Sequence, residues 1–135
     1  MSYDADHPPA PEAWLARSEA DRIAAIEAHH AGRADALHDA PPSSALHHRM
    51  HLVVENQAAE GLDSVTRTLE RLTAEGLRRH AAIHMIMEVL TEALAAMATS
   101  QEPLGEEAYG AKLDALDASA WIGARMRRAL GPVDL

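Results

Sequence analysis

The stretch from residue 78 to residue 98 contains no glycine or proline, and Ile83, Ile86, Met87, Leu90, Leu94 and Met97 recur along it three or four apart. An apolar pattern of that period over that length predicts one long helix. Its stripe needs partner helices to cover it. Helical patterns are what the rest of the chain offers. Aliphatic residues and alanine dominate, phenylalanine is absent, and only Tyr3, Trp14, Tyr109 and Trp121 are aromatic. Such a composition favours helices over a sheet, which draws on β-branched and aromatic residues.

The 135 residues make one domain the simplest expectation. Residues 1–10, rich in proline and polar groups, read as a flexible arm. Residues 11–131 read as an all-α, single-domain bundle of five to six helices with short loops, and 132–135 as a tail. A short helix begins near Pro11. Ser18 suits an N-cap, with Asp21 three residues on, for a helix ending at Gly32. Residues 33–43 read as a connection. Ser43 or Ser44 can cap a helix over about 44–60. Asp63 can cap another over about 64–75, with Val65, Leu69 and Leu72 inward and Gly76 as its stop. After the break at 99–105, the remainder reads as helical, in one or two pieces, up to Gly131 and Pro132.

The formal charge of −9 argues against nucleic-acid binding, which needs a basic face. Arg125, Arg127 and Arg128 are accounted for by a helix C-terminus. Without cysteine there is no disulfide, zinc–thiolate site or thiol catalysis. No apolar leader follows Met1 and no run reads as a membrane span, so the expectation is a soluble, cytoplasmic protein.

The chemistry concentrates in histidine. His47, His51 and Glu55 are four apart, and so are His80, His84 and Glu88. Side chains four apart on a helix are neighbours, so a His-x-x-x-His pair is a two-ligand clip for a metal ion. A carboxylate one turn on can be a third ligand or can orient a ring. With Leu46, Met50, Val53 and Gln57 taken as the core stripe of the first helix, its histidine row starts beside the stripe and drifts outward by Glu55. The second row flanks Ile83 in the same way. Two such rows can face each other between helices, where bundles build metal sites. His48 is expected to point away and be exposed, and His7 to have no role. His29 and His30 suit a helix C-terminus, with His30 a possible further ligand from a third helix. Asn56 and Gln57 can orient a ligand or satisfy backbone groups. The plain alternative is that these histidines are core-edge hydrogen-bonders. Beyond this echo there is no internal repeat.

Over WLARSEADRIAAIEAHH (14–30), HHRMHLVVENQAAEG (47–61) and TLERLTAEGLRRHAAIH (68–84) the chain resembles a small bacterial family of uncharacterised proteins, a domain of unknown function. The resemblance covers about the first two thirds of the chain. It implies that His30, His47, His51, Glu55, Asn56, His80 and His84 belong to a shared pattern, and it implies no activity. Members of that family often carry His-Glu-x-x-His at the last pair. Here Ala81 stands in the glutamate's place, so the general base of a zinc peptidase is missing. Glu88 also stands where a small residue is expected.

Two functions follow as expectations. One is a divalent metal centre, zinc, nickel or iron, held by His47, His51, Glu55, His80 and His84, with His30 and Glu88 as further candidates. The other is a metal-free interaction module, with the Leu69/Leu72 face or the face of Leu113, Leu116, Trp121, Ile122 and Met126 turned to a partner or a second copy. Any small-molecule ligand is unspecified. His38-Asp39, a phosphohydrolase dipeptide, falls in a proline-flanked loop and is set aside. No phosphate loop, dinucleotide fingerprint or nucleophile elbow is present.

Overall fold

The computed structural model describes residues 3–30, 45–100 and 105–123. It is an all-α bundle, with no strand among the described residues. The helices are α1 (Pro11–Ala16), α2 (Glu19–His30), α3 (Ala45–Ala59), α4 (Asp63–Ala74), α5 (Arg79–Ser100) and α6 (Glu106–Asp114). A further helical stretch runs from 118 to 123. Gly32, Ser43, Ser44, the His38-Asp39 pair, Met126, the arginines at 125, 127 and 128, and the Gly131-Pro132 stop lie outside the described residues.

Local chemistry sets several of the helix ends. Pro11 opens α1, where a missing N–H costs nothing. Ser18 Oγ accepts from the Asp21 N–H at 3.1 Å, the cap expected for α2. Gly61 and Gly76 take positive φ after α3 and α4, at 78° and 105°. There Leu62 and Leu77 donate back to the carbonyls of Gln57 and Leu72, closing each helix. Asp63 is not the cap of α4. Leu62 holds that position without a side-chain bond, and Asp63 lies in the first turn, paired with Arg67 one turn on.

α3 is the hub, packing on α1, α2, α4 and α5, while α5 also packs on α4 and α6. That placement overturns the stripe expected for α3. Leu46 is 60% exposed, and Val53 and Gln57 are only half-buried. The buried residues of α3 are His48, Met50, His51, Leu52, Val54 and Glu55. A helix with neighbours on several sides has no single inward stripe. α5 shows the same effect: every residue from His80 to Met87 is buried, while Leu94 is 41% exposed. The span Arg79–Thr99 is, by length and composition, apolar enough to cross a membrane, contrary to the expectation from sequence; 56% of that window is buried inside the chain, as in a core helix.

The main core gathers Val54, Val65, Leu72, Ile83, Ile86 and Leu113. The faces considered for a partner go largely into it, for Leu69, Leu72, Leu113 and Trp121 are buried. A smaller cluster joins Tyr3, Ala5, Trp14, Ile26 and Leu52. Residues 3–10 therefore do not form a loose arm. Tyr3 and Ala5 are buried, and Arg79 donates to the Ala5 carbonyl at 3.1 Å. Asp6 pairs with Arg78 and accepts from the His80 N–H at 3.1 Å, capping the first turn of α5 across the fold.

Candidate metal centre

α2 ends in His29 and His30, α3 opens with His47, His48 and His51, and α5 opens with His80 and His84. The helical period puts His47 with His51 and His80 with His84 on shared faces. The packing of α3 on α2 and α5 turns those faces toward one another. Ring centroids lie 4.6 Å apart for His80 and His84, 4.9 Å for His47 and His84, and 5.1 Å for His30 and His47. His30 is 5.2 Å from His51. Six of the seven rings are buried, and His47 is half-buried.

Within this group, one donor nitrogen from each of His30, His47, His51 and His84 lies within 4.8 Å of all the others. Four nitrogens about 2.1 Å from a tetrahedral ion stand about 3.4 Å apart, and the trans pair of a planar ion about 4.2 Å apart. Donors at most 4.8 Å apart would have to close by up to about 1.4 Å to reach the tetrahedral separation.

The surroundings fix the tautomer of two of the rings. The Nδ1–H of His30 donates to the Ile26 carbonyl at 2.7 Å, so a neutral ring holds its lone pair on Nε2. Nε2 of His51 lies 2.8 Å from the Tyr3 hydroxyl, which itself donates to Glu55. Because the phenol proton goes to the carboxylate, Nε2–H of His51 donates to the phenol oxygen. That leaves Nδ1 as the lone-pair nitrogen, and it has no hydrogen-bond partner among the described residues. Burial lowers the pKa of His51 well below the ordinary value, and the charges of His80, His30, His84 and His47 lower it further. The ring is therefore neutral and ready to coordinate. Burial first, then the Glu55 charge, pushes the Tyr3 pKa far up, so Tyr3 remains a phenol.

Glu55 is not placed among the converging donors. It is 1% exposed and accepts two bonds from Arg79, at 2.7 and 2.8 Å, besides the one from Tyr3. Burial weakens the Arg79 cation, but the hydrogen bonds and charge of Glu55 more than offset this and raise its pKa. Glu55 thus acts on His51 through Tyr3, as an orienting carboxylate. The outward drift expected for it on α3 does not leave it in solvent, for Tyr3 and Arg79 bond to it there. Asn56 is likewise structural, accepting from Trp14 at 3.0 Å and Arg22 at 2.9 Å and so tying α1 and α2 to α3. Gln57 accepts from the Tyr109 hydroxyl at 2.9 Å.

Of the residues expected from sequence, His47, His51 and His84 converge and His30 joins them. His80 is buried against them without belonging to the tightest four. Glu88 is exposed and takes no part. His48, expected in solvent, is buried, its ring 5.2 Å from His30. His29, Tyr3 and Arg79 were not anticipated. The doublet His29-His30 resembled an ordinary helix end, and nothing local marks Tyr3 as a core residue. Ala81, in the place of a peptidase glutamate, is 3% exposed and packs in the main core. A groove of about 730 Å³ runs past Pro8, Pro11, Leu69 and Leu77 to Glu55 and Arg79, and none of the described histidines lines it.

The bundle and its centre define a class: a small all-α chain with a buried, nitrogen-only histidine cluster. No family model, curated protein or solved structure matches the chain.

Proposed function

We propose that this protein binds a divalent first-row transition metal through His30, His47, His51 and His84. One observation carries the reading: donor nitrogens from three helices lie within 4.8 Å of one another. Imidazole-only ligation suits zinc, nickel, copper(II) and ferrous iron, and it disfavours calcium and magnesium, which require oxygen. Four imidazoles fill a tetrahedral ion, so the function supported best is metal binding that joins α2, α3 and α5.

The test uses protein purified without a histidine tag and stripped of metal. Adding zinc or nickel at about a hundred times its dissociation constant is expected to stabilise the fold by about 2.7 kcal/mol, raising Tm by about 10 °C. Mass spectrometry under native conditions should show the bound ion. Absence of both bound metal and thermal gain with zinc, nickel, copper and iron would leave a helical module whose histidines are structural.

A further inference from the structure

The cluster holds more imidazoles than one ion uses. His29, His30, His47, His48, His51, His80 and His84 all touch through their rings, whereas a four-coordinate ion takes four nitrogens. His29, His48 and His80 remain, each buried. Two of them, His29 and His80, adjoin. The His29 ring is 5.1 Å from His80 and 5.4 Å from His30, and His80 is 5.1 Å from His30 and 4.6 Å from His84.

A metal ion lies about 3.2 Å from the centroid of an imidazole bound to it, so two rings on one tetrahedral ion have centroids about 5.2 Å apart. The separation of His29 from His80 meets that value. Adjacent residues at the end of α2, and an i,i+4 pair on α5, thus divide in the same way. His30 and His84 supply nitrogens to the four-donor group, while His29 and His80 adjoin it, His80 as near to His30 as to His29. Tyr3 flanks the second pair, its ring 5.5 Å from His29 and its hydroxyl 2.8 Å from His51 Nε2.

We infer that the cluster is a two-metal centre, with a second divalent ion between His29 and His80 on the Tyr3 side. This rests on the metal reading above. α2 and α5 each give one ring to each ion, so the ions would lie side by side, and a bridging oxygen donor would hold them at the spacing of about 3.5–4 Å usual for paired metals. The second ion has fewer protein nitrogens than the first. Its remaining positions take water or a small oxygen-donor anion, with the Tyr3 phenol near by.

The experiment is a cobalt(II) titration of tag-free, metal-stripped protein, followed by native mass spectrometry and electron paramagnetic resonance. Two ions per chain are expected. The signal of the one-equivalent sample should weaken on the second addition, because two ions this close couple magnetically. His29→Gln and His80→Gln should each reduce the count to one. A single ion per chain, unaffected by these substitutions, overturns the pair and leaves the single-ion reading intact. No bound ion overturns both. If either variant fails to fold, the unsubstituted chain decides: two coupled ions support the inference, and two uncoupled ions overturn it.

Discussion

The wholly buried ring of His51 is neutral in the fold, whereas in the unfolded chain it titrates near its ordinary value of 6.5. Below that value the unfolded chain binds the extra proton, so acid favours unfolding. The contribution of His51 is complete above about pH 6.5 and is lost progressively as pH falls from there toward the lowered folded value. Urea denaturation of the metal-free protein should show stability falling between about pH 7 and about pH 5; stability that holds or rises over that interval contradicts the account. Glu55 gives a second test at this scale. Glu55→Gln leaves the Arg79 cation without its counter-charge, at a cost of about 3 kcal/mol. It should nevertheless keep metal binding, measured as bound ion per folded chain. Loss of metal with stability unchanged would make Glu55 a ligand.

At the scale of helices, the sequence was readable where local chemistry decides. The Ser18 cap, the stop at Gly76 and the long helix from Arg79 follow from cap residues, glycine and period. It was misread where packing decides. Assigning one inward face to α3 put Leu46 inside and His48 outside, because a helical wheel does not reveal that a helix has neighbours on several sides. Of the site, the two His-x-x-x-His clips were legible from spacing alone. The contributions of Tyr3, His29 and Arg79 were not, since they depend on residues 3–10 and α2 folding back onto distant helices. Asp6 tests that closure. Asp6→Ala removes the cap of α5 and the Arg78 pair, and is expected to cost about 1 kcal/mol with faster amide exchange in the first turn of α5. Unchanged exchange there would mean that residues 3–10 do not hold that turn.

Across the whole molecule, the bundle is a frame that brings together rings from residues 30, 47, 51 and 84. An ion bound to all four would cross-link segments far apart in the chain, so binding free energy becomes folding free energy. Proton release should accompany loading, because each coordinating imidazole must be neutral. The formal charge of −9 counts histidines as neutral and would be cancelled if all nine were protonated. Acid therefore acts twice, on the bulk charge and on the buried cluster. The most direct test is X-ray absorption at the zinc edge of protein carrying one equivalent of zinc. Four imidazole nitrogens at about 2.0–2.1 Å, with no carboxylate oxygen, are predicted; a shell of water and carboxylate oxygens would contradict the account.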